Sequence, residues 1–237
     1  MSKTIAIVGA GPGVGQAIAE RFGRDGFRVA LLARNAERLE TMAQGLAGKG
    51  IIETRAFAAD MLDRPGLVRA LETAAAELGP IDVLVYSPSG TPDGLLTPRQ
   101  LTVEIEQRSL DVAVLGAIAA VNVVLPAMPK GGALLFTTAV SAQYPVTFTA
   151  NFGVAAGAAL NYARVLHQDL KPDGIHAGIV SIAGIVDVGQ EFPESLQAMP
   201  KLLAADVAEA HWQHYKNPTV VETIVGPAEM FKAMAGQ

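Results

Sequence analysis

A run of glycines near the amino terminus has the spacing of a phosphate-binding turn. It lies between a short apolar strand and a segment of helical period and reads Gly9-Ala10-Gly11-Pro12-Gly13-Val14-Gly15. Gly9 can adopt a left-handed turn, and Gly15 lets the helix pack closely. Gly13 leaves room for a pyrophosphate beside the unpaired amides at the start of the helix, whose dipole favours an anion. This context predicts dinucleotide binding at Gly9, Gly11, Gly13, Val14 and Gly15, with a plain tight turn as the alternative.

The residue after the second predicted strand bears on which dinucleotide would bind. Arg34 stands at that place, and no Asp or Glu lies between the strand and Glu37. An acidic residue there would accept hydrogen bonds from a ribose 2′-hydroxyl, whereas an arginine can hold a 2′-phosphate. We therefore predict NADP(H) as the cofactor. NAD(H) is the alternative if Arg34 is only a solvated surface charge.

Few side chains with acid–base chemistry fall near the crevice that such a cofactor would occupy. Tyr86 and Ser87 end the fourth predicted strand, and Tyr144 follows the fifth, close in sequence to Thr138 and Ser141. A tyrosine with a neighbouring hydroxyl could transfer a proton, which makes Tyr144 the candidate catalytic residue. The alternative is that each of these is a loop or packing residue.

The four histidines offer a second possible chemistry. His211 and His214 are three residues apart and could share a helix face that binds a metal, but two ligands without a third make a weak site. We therefore predict no metal and expect these two histidines at the surface or at an interface. His167 and His176 flank a helix end and a strand start and are expected to be structural.

Short apolar runs alternate with longer segments of helical period along the whole chain. The runs predict seven strands, Ile5–Val8, Arg28–Ala33, Ile52–Phe57, Val83–Tyr86, Ala133–Thr137, His176–Ile182 and Thr219–Val225. The predicted helices cover Val14–Arg24, Ala36–Ala47, Pro65–Leu78, Arg99–Pro126, Asn151–Leu170 and Pro193–Lys216. Strands that are apolar on both faces indicate a parallel sheet covered on both sides. We predict an α/β fold, a doubly wound, Rossmann-type three-layer sandwich of about seven strands that forms a single domain over residues 1–237.

Length and composition exclude several classes of protein. Half of the 237 residues are hydrophobic, which argues against disorder, and the net charge of −5 leaves no basic surplus for nucleic acid. The absence of cysteine excludes disulfides, thiolate metal sites and a thiol nucleophile. Residues 112–128 barely reach the length of a membrane span and contain Asn122 and Pro126, so we predict a helix buried against the sheet. With no export signal, we expect a cytoplasmic protein without a membrane partner.

The sequence resembles the short-chain dehydrogenase/reductase family over nearly its whole length. The glycine turn matches the family's cofactor turn, and Asp60-Met61 matches the pair that contacts the adenine ring. Ser87 lies where the family has an Asn-Asn-Ala-Gly segment, although neither asparagine is present. Ile182-Ala183-Gly184-Ile185 lies where the family has Pro-Gly and the backbone that holds the nicotinamide amide. The resemblance thus adds Asp60, Met61, Ser87 and Ile185 to the expected cofactor-binding residues.

The same resemblance implies a catalytic Asn, Ser, Tyr and Lys. In the family, the tyrosine exchanges a proton with the substrate, the lysine lowers its pKa, the serine orients the carbonyl and the asparagine holds a water. Alignment on the long helix around Asn161-Tyr162-Ala163-Arg164 places these four at Ala113, Ala139, Phe152 and Ala156. None of these side chains can exchange a proton or donate a hydrogen bond. No lysine lies between Lys130 and Lys171, so no shift of the alignment restores the motif.

The predicted helix over Asn151–Leu170 is rich in glycine and alanine, which lets helices approach closely. In the family this helix commonly forms a subunit interface, so the resemblance implies a homodimer or homotetramer. Ordinary packing of a buried helix on its own sheet is the alternative.

Two functions remain open from the sequence. The first is an atypical oxidoreductase that uses NADP(H) on a small-molecule substrate, with the substrate itself, a water or Tyr144 supplying the proton. Hydride transfer to an activated double bond would depend least on the missing acid. The second is a pseudoenzyme, a catalytically inactive NADP(H)-binding sensor or partner subunit.

Overall fold

Seven parallel strands form the central sheet of the protein, whose computed structural model describes residues 2–51, 53–88, 94–189 and 197–237. In chain order the strands are β1 Thr4–Val8, β2 Arg28–Ala33, β3 Thr54–Ala58, β4 Ile81–Tyr86, β5 Ala133–Ala139, β6 His176–Ile182, β7 Ile185–Val186, β8 Lys201–Leu202 and β9 Glu222–Val225. The sheet order is β3-β2-β1-β4-β5-β6-β9, and β7 pairs with β8 as a separate two-stranded ribbon. All seven predicted strands are therefore present, with shifts of a few residues at their ends; Ile52, the predicted start of the third, lies outside the described residues.

Helices cover both faces of this sheet. They are α1 Val14–Gly23, α2 Ala36–Ala47, α3 Arg64–Leu78, α4 Val103–Leu110, α5 Gly116–Val124, α6 Ala150–Leu170, α7 Ala204–Lys216 and α8 Ala228–Met234. Alternate residues of a strand enter separate cores, as in β1, where Ile5 and Ile7 pack on the α1 side and Ala6 and Val8 on the α3 side. Both sets are buried because both faces of the sheet are covered. The doubly wound three-layer fold is confirmed.

The long apolar segment after β4 is interrupted rather than continuous. A π-helical turn, Asp111–Leu115, separates α4 from α5. Gly116 follows it because a Cβ there would lie 2.2 Å from the Tyr86 hydroxyl oxygen. By length and composition the stretch Val103–Ala127 could cross a membrane, a property that core helices of other proteins share, and 33% of its most apolar window is buried in the chain. The predicted burial against the sheet is therefore confirmed only in part.

The predicted helix over Pro193–Lys216 is wrong in its middle part. Residues 193–196 lie outside the described residues, residues 198–203 are not helical, and α7 begins at Ala204. Lys201 and Leu202 instead form β8, because the amides of Ile185 and Asp187 donate to the carbonyl oxygens of Pro200 and Leu202. This ribbon follows the carboxyl end of β6, at the edge of the sheet where the predicted site lies.

Candidate cofactor and substrate site

The glycine turn begins with the conformation that the sequence predicts. Gly9 has a φ of +93°, and the amides of Gly9 and Ala10 both donate to the Leu32 carbonyl oxygen, at 2.9 and 3.0 Å. A Cβ on Gly9 would lie 2.0 Å from the carbonyl oxygen of Ser87. The first turn is therefore fixed between β2 and the end of β4, and only glycine fits there.

Gly13 and Gly15 permit close contacts at the start of α1. A Cβ on Gly15 would lie 2.7 Å from the Cα of Ala10, so the helix packs directly on the turn. A Cβ on Gly13 would lie 2.7 Å from Cγ1 of Val188. The space expected beside Gly13 for a pyrophosphate is thus bordered by an apolar side chain from the segment that follows β7. This neighbour could not be anticipated from the turn itself.

A cavity of about 970 Å³ opens beside the turn and is lined by half of the predicted cofactor residues. Gly9 and Gly11 line it together with Asp60 and Met61 from the loop after β3. The Asp60 carboxylate accepts a hydrogen bond of 2.9 Å from the Leu62 amide, which fixes that loop. The structure therefore brings the end of β1 and the end of β3 to one cavity, as the sequence predicts.

Two arginines lie on the far side of the same cavity. Arg34 follows β2, and Arg38 lies in the first turn of α2, where Asn35 caps the helix by accepting from the Arg38 amide at 2.9 Å. Both side chains are exposed, and within the described residues neither guanidinium has a hydrogen bond or an ion pair. Sequence reasoning missed Arg38, although its position four residues after Arg34 and just inside a helix start was a usable signal.

A smaller cavity of about 270 Å³ adjoins the larger one, with Val112 lining both. The four positions where the resemblance implied catalytic residues all line it: Ala113, Ala139, Phe152 and Ala156. The described lining residues of polar type are Ser109, Thr137, Thr138 and Asn151. No described residue of this lining carries an ionisable side chain, so the lining itself offers no acid or base.

A buried histidine stands directly behind one of these hydroxyls. Thr137 Oγ1 lies 2.8 Å from Nε2 of His211, which belongs to α7 and is 0% exposed. Burial, together with nearby His214, lowers the pKa of His211 to about 3, so the imidazole is neutral at physiological pH. The surface or interface position predicted for His211 and His214 is wrong, because both pack inside the chain. No group of three metal-ligating side chains occurs among the residues described.

Several predicted site residues line neither cavity. Tyr144 packs beside Val140 and Phe231 and is not among the residues that line the smaller cavity, so its catalytic role stays a prediction. The Ser87 carbonyl faces Gly9. The Ile185 amide donates to the Pro200 carbonyl oxygen at 2.8 Å, and the neighbouring residue Val186 lines the smaller cavity. Val14, also predicted to bind cofactor, packs against the core on the α1 side.

Tyr86 is not available for proton transfer. It is 1% exposed, and its hydroxyl donates to the Val112 carbonyl oxygen at 2.6 Å. Burial raises the pKa of Tyr86, so its hydroxyl remains protonated well above neutral pH.

Comparison with known proteins identifies the family of the chain and finds solved structures that share its fold. The profile described as short chain dehydrogenase matches residues 3–191. The chain is 30% identical to glucose 1-dehydrogenase 2 of Bacillus subtilis over 206 residues, which cover 80% of this chain and 76% of that protein. It is 27% identical to an uncharacterized oxidoreductase of Staphylococcus saprophyticus over 226 residues, covering 92% and 93% of the two chains.

Solved structures of low identity share the fold. L-sorbose reductase from Gluconobacter frateurii, complexed with NADPH and L-sorbose, superposes with a TM-score of 0.82 at 21% identity and 95% coverage of each chain. A short chain oxidoreductase from Pseudomonas aeruginosa, described as containing an atypical catalytic center, gives a TM-score of 0.82 at 20% identity and 94% coverage of each. A short chain dehydrogenase from Burkholderia cenocepacia in complex with NADP gives 0.81 at 24% identity, covering 94% of this chain and 97% of that one.

Proposed function

Because the chain belongs to the short-chain dehydrogenase family, we propose that it is an NADP(H)-dependent oxidoreductase with an atypical catalytic centre. The observation that carries this proposal is the pair of cavities that meet at Val112, at the carboxyl ends of the parallel strands. Open parallel sheets bind dinucleotides in this crevice. The larger cavity would take the adenosine end and the smaller one the nicotinamide with a small substrate.

The residues of the larger cavity fit a phosphorylated dinucleotide. Arg34 and Arg38 present two guanidinium groups that have no anionic partner within the described chain, which suits a 2′-phosphate. Asp60 and Met61 border the place where an adenine ring would lie. Glu37 lines the same cavity and is a counter-argument, because its carboxylate repels a phosphate and could accept from a ribose hydroxyl. NAD(H) is therefore the alternative cofactor to be tested.

The smaller cavity favours reactions that need no side-chain acid. A bound nicotinamide would supply or accept a hydride there. Loss of a positioned general acid costs about 10²- to 10⁴-fold in the rate of carbonyl reduction. An alkene conjugated to a carbonyl depends less on that acid, since the charge left after hydride addition is delocalised onto oxygen and the proton can come from water. With Tyr144 outside the lining, water is the proton source we favour.

A second function is supported by the same lining. A cavity without an ionisable group among its described residues also suits a protein that binds NADP(H) and does not turn it over, as a sensor or a partner subunit would. The two functions make different predictions for the same preparation, because only the first includes chemistry.

We further propose that the protein forms a homodimer or homotetramer through α6 and the segment from α4 to α5. Val154 and Val165 on α6 are 51% and 55% exposed, and Leu115 in the neighbouring π-helical turn is 36% exposed. A Cβ on Gly157 would meet nothing within 4 Å, so the helix backbone is open to close approach there. Burying such residues between two copies would remove apolar surface from water.

Two measurements on one preparation test the function. NADPH and NADH binding is followed by nicotinamide fluorescence, and panels of enones, aldehydes and ketones are then screened for loss of NADPH absorbance. We expect tighter binding of NADPH than NADH, turnover of enones, and little or no turnover of simple aldehydes and ketones. NADPH binding without turnover of any enone, aldehyde or ketone would favour the sensor function. Absence of NADPH and NADH binding at millimolar concentration would overturn both functions.

A further inference from the structure

The pair formed by Thr137 and His211 joins the lining of the smaller cavity to α7. Thr137 is on β5, two residues before Ala139 and therefore on the same side of the strand, and it lines the cavity. His211 reaches it from α7, 74 residues later, with 2.8 Å between Thr137 Oγ1 and His211 Nε2. Neither residue belongs to the four positions that the family resemblance implied.

The surroundings of the imidazole decide which ring nitrogen carries the proton. His211 Nδ1 is buried and has no hydrogen-bond partner within the described residues. A neutral imidazole has one N–H, so the proton is on either Nδ1 or Nε2. A buried N–H without an acceptor is rarer and more costly than an acceptor without a donor. The proton therefore belongs on Nε2, which donates to Thr137 Oγ1.

This tautomer fixes the direction of the threonine hydroxyl. Since Oγ1 accepts from His211, its own proton points elsewhere, and Thr137 Oγ1 has no other partner among the residues described. Thr137 is half-buried and belongs to the lining of the smaller cavity, so the hydroxyl proton can be donated to an acceptor on a molecule bound there. An acceptor on a bound molecule would complete the chain from imidazole to hydroxyl to ligand.

We propose that Thr137, oriented by His211, donates a hydrogen bond to a carbonyl oxygen bound in the smaller cavity. The proposal rests on the function above and identifies a binding residue that the family pattern does not supply. Two carbonyl groups could accept this bond: the carboxamide of the nicotinamide and the carbonyl of the substrate. In both cases His211 acts through Thr137 and is a positioning residue.

The tautomer is measured without any ligand. In a sample with ¹⁵N-labelled histidine, the chemical shifts of the two ring nitrogens of His211 show which one carries the proton; a His211→Gln variant assigns the signals. We expect the proton on Nε2 between pH 6 and 8. A proton on Nδ1 would overturn the proposal, because the threonine hydroxyl would then donate to the imidazole rather than to a ligand.

Binding to a Thr137→Val variant identifies the carbonyl. Valine keeps the shape of the side chain and removes the hydroxyl. Thr54→Val is the matched control: Thr54 also lies on a strand, away from the cavity, and its hydroxyl donates a hydrogen bond to the Ile51 carbonyl oxygen. If the carboxamide accepts the bond, the Kd for NADPH rises about 3- to 10-fold while that for 2′,5′-ADP, which lacks nicotinamide, is unchanged. If the substrate accepts it, NADPH binding is unchanged and the KM for the enone rises by a similar factor.

The results separate this proposal from the proposed function. Wild-type affinities for NADPH and enone in Thr137→Val would overturn the hydrogen bond and leave the oxidoreductase intact. Equal weakening by Thr54→Val would also overturn it, by assigning the effect to stability. Failure of the wild-type protein to bind NADPH would overturn the function and the carbonyl ligand together, while the ¹⁵N spectrum would still confirm or overturn the hydroxyl direction.

Discussion

The Tyr86 hydroxyl donates a 2.6 Å hydrogen bond to the carbonyl oxygen of Val112, the residue at which the two cavities meet. This bond connects the end of β4 to the π-helical turn, and Gly116 leaves the space that the phenol ring occupies. A π-helical turn departs from the regular α-helical hydrogen-bond pattern, and here the Val112 carbonyl oxygen accepts its hydrogen bond from the Tyr86 hydroxyl. The wall between the two cavities is thereby held by the core of the sheet.

Replacing Tyr86 by phenylalanine should destabilise the protein by about 0.5–1.5 kcal/mol, because the substitution removes the part-buried hydrogen bond to the Val112 carbonyl oxygen. Urea unfolding measures the change. The control is Tyr162→Phe, since the half-buried Tyr162 hydroxyl has no hydrogen bond within the described residues, and we expect less than about 0.5 kcal/mol there. Equal stability of the two variants would contradict the structural role of the Tyr86 bond.

Alanine at Gly9 should be poorly tolerated. It would force a residue with a side chain to a φ of +93° and place its Cβ 2.0 Å from the Ser87 carbonyl oxygen. Strain of this kind costs about 1–3 kcal/mol, and the clash with backbone adds to it. Gly45→Ala is the matched control, because Gly45 lies within α2 with open space around its Cβ position. Thermal unfolding should show a large drop for the first variant and a gain of about 0.5–1 kcal/mol for the second.

Arg34 and Arg38 should determine the preference for NADP(H). Removing either guanidinium by substitution with alanine should raise the Kd for NADPH about 10-fold, as expected for the loss of a charged hydrogen bond, and leave NADH binding nearly unchanged. Calorimetric titration of the variants with both nucleotides measures this. Arg69→Ala, at an exposed position of α3, serves as the control for a change of net charge. Parallel losses for NADPH and NADH would show that the arginines do not contact a 2′-phosphate.

Whether the sequence predicts a feature depends on how far apart in the chain the contacting residues lie. Strands and helices follow from local periodicity, and the glycine turn from three closely spaced residues, so both are predictable. Val188 beside Gly13 and His211 behind Thr137 come from segments far away in sequence, and nothing local signals them. Tyr144 illustrates the converse, since closeness in sequence to β5 did not bring its side chain to the cavity.

Charged substitutions on the exposed face of α6 should dissociate the proposed oligomer. Val154→Asp and Val165→Asp would each place a carboxylate among apolar side chains that pair across the interface, and an unpaired charge there is costly. Light scattering at micromolar concentration should change from a dimer or tetramer to a monomer. Val220→Asp is the control, because Val220 is 47% exposed on a different part of the chain. A wild-type protein that is already monomeric would contradict the proposed interface.

Stability should fall between about pH 6.5 and 5 because the buried histidines are neutral in the folded chain. Burial, with the neighbouring His214 and His167, lowers the pKa of His176 to about 4, and burial likewise lowers those of His211, to about 3, and His214.

In the unfolded chain these imidazoles take up protons near pH 6.5, so unfolding binds protons and becomes easier as the pH falls. For His211 and His176 the loss from pH 6.5 to 5 is about 1.5 kcal/mol each, in a pH range above that in which most carboxylates titrate. Urea unfolding at several pH values measures it. His176→Phe keeps a planar ring in place and removes one proton from the linkage, so its stability should depend less steeply on pH. Constant wild-type stability between pH 7 and 5 would show that the histidines are accessible to protons in the native state.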